Sequence, residues 1–403
     1  MGAYLLGVLL FALGIAVTIA LHEAGHMLTA RAFGMRVRRY FIGFGPTLFS
    51  VKKGHTQYGV AAVPFGGYCE IAGMTALDEV TEEEAPHAMR TKPAWQRIVV
   101  LSGGVAVNLL LGLTVIYGVA VASGIPNPYA DTRPVVGEVV CTSDQRADGT
   151  LADCSGVGPA GDAGVEEGDR ILALNGERLT DFHQLRDAVL ELPGETVTLT
   201  VERGERVAEL PVELDSVTRY TTSGDTYEAG SIGLASRPVA DAVRQFGPVE
   251  AVPATFAYTG QLLQATVEGV LQLPAKIPGV VAAIFGAERE MDGPMSVVGA
   301  SFIGGELVER SLWDSFWLML ASLNFFLALF NLLPLPPLDG GHIAVVIYEK
   351  IRDVFRRLRG QTPGGPANYE KLMPVTIVMA ALLVSLGGIV LIADVVNPVR
   401  LFG

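Results

Sequence analysis

Residues 2–26 read GAYLLGVLLFALGIAVTIALHEAGH, an apolar run that ends in two histidines and a glutamate. The apolar part, from Gly2 to Leu21, has the length that an α-helix needs to cross a bilayer. Helical side chains four residues apart share a face, so His22 and His26 point the same way with Glu23 beside them. Such histidines can be solvated side chains, but ionisable groups beside a membrane helix are costly and usually functional. The stretch therefore predicts a membrane span that ends in a metal site, with Glu23 placed to take a proton from a water on the metal.

The same run has a second interpretation, as a cleaved secretory signal. Signal peptides carry a basic residue before the apolar run and a small-residue cleavage site after it. Neither Lys nor Arg precedes this run, and cleavage at its end would leave His22 and Glu23 at a frayed terminus. We therefore expect an uncleaved span.

The composition extends this expectation to the whole chain. Half of the 403 residues are hydrophobic and only 18% are charged, which favours a membrane protein. Apolar runs lie near residues 3–21, 98–123, 312–334 and 373–396. They predict a multi-span α-helical membrane protein with four transmembrane helices. The expected domains are the first two spans (1–123), an inserted domain (124–245), an amphipathic segment (246–311) and the last two spans (312–403).

The segment 246–286 is the one candidate for a fifth span. We expect it instead to lie against the outer leaflet or the inserted domain, interrupted by Pro253, Pro274 and Pro278. A span here would place five polar side chains in lipid, which is costly. These are Gln261, Gln264, Glu268, Gln272 and Lys276.

Charge placement predicts the orientation of the spans. Lys and Arg are frequent between His22 and Arg97 and again between Lys350 and Lys371, so both loops are expected in the cytoplasm. The segment 124–311 is rich in Asp and Glu and supplies most of the net charge of −13, so it is expected outside. Four alternating spans satisfy both assignments.

The inserted domain has the pattern of a small α+β fold. Strands are predicted at 134–140, 170–174, 196–202 and 207–214, with a helix at 181–190. Residues 158–176, GPAGDAGVEEGDRILALNG, resemble the signature of PDZ domains in bacterial proteases. Such a domain binds a peptide or adaptor by adding a strand to its sheet edge, although a steric plug without ligand fits the sequence equally well. Cys141 and Cys154 lie on the expected outer side, where we favour a disulfide over two free thiols.

The third metal ligand is expected near residue 339. Residues 331–342 read NLLPLPPLDGGH, and Asp339 is the one acid among them. Pro334, Pro336 and Pro337 prevent a regular helix, so a carboxylate can turn inward where the backbone lines a protein cavity. Zinc suits two imidazole nitrogens and one carboxylate, with a fourth position left for water. His342 is the nearest competitor, and His55, His87 and His183 are not expected to be ligands.

Taken together, the HEAGH motif and the NLLPLPPLDGG segment resemble the site-2 protease family of zinc intramembrane metalloproteases. Over essentially the whole chain, the similarity is to the bacterial branch with an inserted PDZ domain, especially its actinobacterial members. The resemblance implies that His22, His26 and Asp339 bind zinc and that Glu23 is the general base. It also implies that Asn331 orients the substrate or stabilises the oxyanion.

The resemblance carries further expectations about substrate and location. It implies an endopeptidase in the bacterial plasma membrane that cuts the transmembrane segment of a single-span protein already trimmed outside, such as an anti-sigma factor. The active site would lie near the cytoplasmic side and the PDZ domain outside, with no direct contact to nucleic acid. Residues 47–51 and 57–63 are predicted to form a hairpin that turns near Gly54. In relatives this region is a membrane-dipping β element, which either pairs with substrate or only packs against the spans.

Two features limit these expectations. Many relatives carry a proline in the second-span motif that reads Gly103-Gly104-Val105-Ala106-Val107-Asn108 here, so Asn108 receives no catalytic role and is expected to bond a neighbouring helix. Cys69 is expected to be an ordinary buried thiol. Two other classes fit parts of the chain. A metal-free PDZ scaffold would not need the ligand set, and a metal transporter would need several stacked ligand clusters.

Overall fold

The computed structural model of the chain describes residues 1–75, 77–220, 225–287 and 289–402. Two compact units divide it. One comprises Met1–Ile125 and Gln245–Gly403, and the other comprises Pro126–Arg244. Each has its own buried apolar core.

The first unit consists mainly of helices. Its elements are α1 (Gly2–Ala32), β1 (Val37–Lys53), β2 (Thr56–Ile71), α2 (Ala94–Leu101), α3 (Gly103–Ala122), and β3 (Ile125–Pro126) where the chain enters the second unit. Strands β1 and β2 pair in antiparallel register around a turn at residues 54–55, as predicted, but the hairpin is longer than the sequence indicated. The hydroxyl of Tyr40 donates to the carbonyl of Ala20, 2.6 Å away, and so fixes β1 on α1.

The second unit contains a four-stranded antiparallel sheet. Its elements are β4 (Val136–Val139), α4 (Gly158–Asp162), β5 (Arg170–Leu174), β6 (Glu177–Arg178), α5 (Phe182–Leu190), β7 (Thr196–Arg203), β8 (Arg206–Glu213), β9 (Asp215–Tyr220), β10 (Thr226–Ser231), β11 (Leu234–Ser236) and β12 (Val243–Arg244). The sheet has the order β6-β5-β7-β8. Apolar side chains of β5 and β7 face the core at alternating positions, and those of α5 face it at helical spacing, as the sequence predicted. A disulfide joins Cys141 to Cys154.

The remaining helices belong to the first unit. They are α6 (Ala251–Ile284), α7 (Val297–Glu309), α8 (Trp313–Leu332), α9 (Asp339–Leu358) and α10 (Tyr369–Val396). Among the described residues, α1, α3, α6, α8 and α10 are long and apolar enough to cross a membrane. That is one helix more than the four predicted spans.

Helix α6 corrects one detail of the sequence interpretation. It is continuous from Ala251 to Ile284, although Pro253, Pro274 and Pro278 were expected to interrupt it. Pro253 lies in the first turn, where the missing N–H has no helical partner in any case. Pro274 and Pro278 lie in the helix interior, a position that proline occupies more often in membrane helices than in soluble ones.

Helix α7 was not predicted at all. Its sequence, VVGASFIGGELVE, is rich in small residues, and these let it approach α1 closely. A Cβ atom at Gly7 would lie 2.7 Å from the carbonyl oxygen of Gly304. Because α7 runs against α1 in this way, its first residue, Val297, lies beside the functional site described next.

Candidate active site

Three ligand-type atoms converge where α1 meets the start of α9. The Nε2 atoms of His22 and His26 lie 3.3 Å apart, and each lies 3.3 Å from Oδ2 of Asp339. A tetrahedral metal with bonds of about 2.0 Å has edges of about 3.3 Å between its ligand atoms. The three atoms therefore form one face of the tetrahedron that zinc prefers, and the fourth corner is left for another ligand. Among the described residues, this is the one cluster of three such groups.

One of the two imidazoles, that of His26, is held in place by a hydrogen bond at its second ring nitrogen, whereas Nδ1 of His22 has no such partner among the described residues. Nδ1 of His26 lies 2.8 Å from the carbonyl oxygen of Val100, so Nδ1 carries the proton and the lone pair of Nε2 points towards Asp339. Both rings are buried, at 8% exposure for His22 and 6% for His26. Burial and this tautomer are what a metal site needs, because the ligand must be neutral and held in one orientation.

Glycines let α3 approach the same point. A Cβ atom at Gly103 would lie 2.6 Å from the carbonyl oxygen of Gly25, so α1 and α3 touch backbone to backbone. A Cβ atom at Gly104 would lie 2.5 Å from Nε2 of both His22 and His26. Helix α3 therefore closes one side of the cluster with backbone alone.

Asp339 is placed by the irregular segment that precedes α9. Helix α8 ends at Leu332, residues 334–338 make a turn, and Asp339 is the first residue of α9. A Cβ atom at Gly341 would lie 2.7 Å from the carbonyl oxygen of Leu335, so the glycine lets this turn fold back onto α9. His342, one turn further on, is not part of the three-residue cluster.

A cleft of about 540 Å³ opens onto the cluster. Glu23 and Asn331 line it, as do the metal-facing histidines and Asp339. Residues 66–69 of β2 form a further wall, and a Cβ atom at Gly67 would lie 3.1 Å from Cγ of Glu23. The structure thus brings together all five residues singled out from the sequence: His22, Glu23, His26, Asn331 and Asp339.

Sequence reasoning missed two contributors to this cleft. Asn108 lines it, whereas the sequence suggested a hydrogen bond to a neighbouring helix. Val297, at the start of α7, lines it as well. The spacing of Gly104 and Asn108, one helical turn apart, was the available signal for Asn108. No local pattern around Val297 indicates its position, because it depends on long-range packing of α7.

Cys69 lies at the edge of the cleft but is poorly suited to ligation. Burial, reinforced by the charge of Glu23, raises the pKa of the Cys69 thiol to about 12. The thiol is therefore protonated at neutral pH, and the thiolate is the form that binds metal or attacks carbonyls. Cys69 was expected to be a buried thiol, and the structure shows a free thiol that is only partly buried and lines the cleft.

Comparison with known proteins identifies the family. The family model described as Peptidase family M50 matches residues 10–364. The chain belongs to peptidase family M50. This M50 peptidase is 45% identical to the zinc metalloprotease Rip1 of Mycolicibacterium smegmatis, over 98% of this chain and 99% of that protein. It is 43% identical to the zinc metalloprotease Rip1 of Mycobacterium tuberculosis, over 99% of each chain. The resemblance to site-2 proteases is confirmed, and the chain is a hydrolase.

A solved structure is similar to part of the M50 peptidase. It is the PDZ domain of an SdrC-like protein from Listeria monocytogenes, and the match covers 26% of this chain and 87% of that one. The two are 18% identical, with a TM-score of 0.17.

Proposed function

We propose that this chain is a zinc-dependent intramembrane endopeptidase that hydrolyses a peptide bond in the transmembrane segment of single-span membrane proteins. The observation that carries the proposal is the triangle of 3.3 Å edges formed by His22, His26 and Asp339, with both histidines on a membrane-length helix. The two mycobacterial relatives are named zinc metalloproteases.

The chain's own residues divide the reaction between them. His22, His26 and Asp339 would hold zinc, which when bound polarises the scissile carbonyl and brings the pKa of a water to about 7. Glu23 takes the proton of the attacking water on its carboxylate and returns it to the leaving amide nitrogen. Asn331 donates its side-chain N–H to the substrate carbonyl oxygen, where negative charge develops. These assignments follow from the position of all five side chains on one cleft.

Strand β2 is suited to holding the substrate backbone. Residues 67–69 of β2 pair along one edge with residues 40–42 of β1, and residues 66–69 line the cleft beside Glu23. A helical peptide bond is shielded by its own turn, so the substrate span must unwind before attack. An unwound segment can add to the free edge of β2 as a further strand, which fixes the scissile bond.

The membrane arrangement we propose has four spans, α1, α3, α8 and α10, with residues 126–244 outside the cell. Two contacts of α6 support its placement against the outer leaflet. Its first turns pack with Ile116 and Ala120 near the end of α3, and its last turns pack with Val390 and Ala393 near the end of α10. Both of those helix ends lead outward in this arrangement. The active site then lies near the cytoplasmic side of a bacterial plasma membrane.

The substrate class follows from this layout. We propose a pre-trimmed protein such as an anti-sigma factor, because a bulky outer domain on the substrate would lie on the same side of the membrane as residues 126–244. In that unit, a cleft of about 310 Å³ lies between α5 and residues 230–234, lined by Leu185 and Val189. A peptide or adaptor segment fits such a groove, as expected of a PDZ domain.

The test combines metal analysis with one conservative substitution. The purified protein is expected to contain one zinc per chain and to cleave a co-expressed single-span substrate, with cleavage lost on chelation. Glu23→Gln keeps zinc and lowers kcat by about 10³-fold, within the usual range for removing a general base. His183→Gln, in the second unit, is the matched control and cleaves normally. Normal cleavage by Glu23→Gln would remove the general-base assignment, and the absence of zinc would overturn the proposal.

A further inference from the structure

Helix α9 exposes an apolar stripe along one side. Five of its apolar side chains are between 43% and 78% exposed: Ile347, Ile351, Val354, Phe355 and Leu358. Successive members are four, three, one and three residues apart. At 100° per residue these positions fall within one narrow sector of the helix. Tyr348 widens the stripe at one edge.

The opposite face of α9 is anchored to the protein. Val346 and Glu349 are buried there. The carboxylate of Glu349 accepts hydrogen bonds from Arg97 and from the amide of Ala367, each at 2.7 Å. Since Arg97 and Glu349 are 11% and 9% exposed, this pair keeps α9 from rolling and turning its stripe inward.

Basic side chains border the stripe on both sides. Lys350 and Arg357 lie along one edge at helical spacing, and Arg352 and Arg359 lie along the other. Besides Asp339 at its start, α9 has two acids, and both are paired, Glu349 with Arg97 and Asp353 with Arg352. The outward surface therefore combines an apolar centre with positive edges, the pattern of helices that lie in an anionic membrane surface.

We propose that α9 lies in the inner interface of the bilayer and binds anionic phospholipid, and that this contact sets the position of Asp339, its first residue. The stripe enters the acyl-chain boundary while the flanking Lys and Arg side chains reach phosphate groups. The inner leaflet carries negative surface charge, which attracts each basic residue that lies near it. Anionic lipid thereby becomes a regulator of the metal site. The inference rests on the proposed membrane arrangement and adds a lipid ligand to it.

The first arm of the test measures insertion without catalysis. Phe355→Trp places a fluorophore on the stripe, and vesicles of phosphatidylcholine mixed with phosphatidylglycerol carry brominated acyl chains. Quenching at position 355, beyond that of the unsubstituted protein with its native tryptophans, is expected. Quenching no greater than that of the unsubstituted protein would show the stripe covered by protein, such as a second copy, and would overturn the inference. This arm gives its answer even if no substrate is cleaved.

The second arm measures the lipid response. We expect kcat/KM to rise about fivefold when phosphatidylglycerol is added to phosphatidylcholine vesicles, and to fall again with salt. The triple variant Lys350→Gln, Arg357→Gln, Arg359→Gln keeps the activity in phosphatidylcholine alone and loses the rise. The control Arg178→Gln, Arg186→Gln, Arg206→Gln removes equal charge from the second unit and keeps the rise. An unchanged rise in the first triple variant would overturn the inference.

A second inference comes from an unpaired amide. Asn108 is 1% exposed, and neither atom of its side-chain amide has a hydrogen-bond partner among the described residues. It lines the active-site cleft and lies one helical turn after Gly104, on the face that meets His22 and His26. Burying an unpaired amide costs about 1–3 kcal/mol, and a leucine of similar size would avoid that cost.

The geometry points to Asn108 as a binding residue for the backbone of the unwound substrate span. A side-chain amide offers one acceptor and two donors, which match the N–H and C=O of a peptide group. The role deepens the proposed function, because it adds a contact to the same cleft. It also predicts two opposite effects of replacing Asn108 by an apolar residue: the protein becomes more stable, and the enzyme becomes less active.

Binding to an inactive enzyme tests this role. In the Glu23→Gln background, adding Asn108→Leu is expected to weaken binding of a single-span substrate peptide about tenfold. The thermal unfolding temperature rises or stays constant, and zinc content is unchanged. Asn324→Leu is the matched control, because Asn324 is also buried but donates to Thr18 and Leu320. It lowers the unfolding temperature and leaves binding unchanged.

The outcomes separate the two proposals. Equal binding with and without Asn108→Leu would overturn the role of Asn108 alone. Binding by neither protein would overturn the proposed function and this role with it.

Discussion

The buried Asp169 of the second unit and the partly buried Asp339 of the first are held in opposite ways. Asp169 is 1% exposed and fully paired, with Oδ1 and Oδ2 each 2.7 Å from Arg203 and Oδ2 also accepting from the amide of Glu166 at 2.9 Å. Asp339 has only the two histidine rings beside Oδ2, with no basic residue and no backbone amide donating to it among the described residues. A carboxylate whose two oxygens both accept hydrogen bonds supports the fold. One whose partners are two candidate metal ligands is suited to a metal site.

The largest effect expected from this contrast is at Asp339. Asp339→Ala removes one corner of the ligand triangle, so zinc content falls well below one per chain and kcat/KM drops by about 10³-fold or more. Metal analysis and cleavage of a single-span substrate measure both. Undiminished zinc would place Asp339 outside the coordination shell.

Gly104→Ala comes next. A Cβ atom would press on Nε2 of both histidines, so we expect zinc affinity to fall by roughly 10–100-fold, as for changes that disturb ligand orientation. Gly118→Ala, on the same helix, is the control. No atom lies within 4 Å of its added Cβ, and affinity should stay the same. Equal affinity in both variants would show that α3 does not constrain the rings.

Asp169→Ala has a smaller effect, on the stability of the second unit and not on zinc binding. Losing charge-assisted hydrogen bonds to a buried carboxylate lowers the free energy of unfolding of the second unit by about 2 kcal/mol. Hydrogen exchange of β5 and β7 in the full-length protein measures this loss. Zinc content is expected to stay at one per chain. A fall in zinc content would contradict the proposal that Asp169 supports the fold and Asp339 the metal site.

The smallest effect concerns pH. Burial by itself would raise the pKa of Asp169, but the hydrogen bonds from Arg203 and from the amide of Glu166 outweigh it and hold the pKa below its usual 3.8. The stabilisation is therefore complete above that usual value and is lost as the pH falls through the lower, folded-state pKa. Exchange protection of the second unit should decrease on acidification below pH 3.8. Asp169→Asn should show a shallower decrease, and an identical pH profile would contradict this linkage.

The ligand residues were predictable because their signals are local. His22, Glu23 and His26 share one turn of one helix, and a run of prolines marks the place where Asp339 leaves regular helix. Strands β4, β5, β7 and β8 were equally predictable, since alternating apolar residues such as Val197, Leu199 and Val201 face the core of the second unit. The shorter or more polar strands β6, β9, β10, β11 and β12 were not predicted.

The features that the sequence did not predict depend on packing between residues that are far apart in the chain. Helix α7 is interrupted by glycines in its sequence, and these are used where Gly304 and Gly305 let α1 approach closely. Pro274 and Pro278 suggested breaks in α6 that the backbone does not have. Asn108 lacked the proline that accompanies it in many relatives, and its burial without a partner is visible only when α1, α3 and α8 are assembled.

The backbone contact between Gly25 and Gly103 also restricts how this enzyme can diversify. Where two main chains touch there is no room for a Cβ atom, so neither glycine can be exchanged without moving α1 against α3. Selectivity between one peptide and another is more readily varied at side chains that line the cleft, such as Tyr68, Met74 and Val297. Attempts to retarget the enzyme should vary those three positions and leave the glycines untouched.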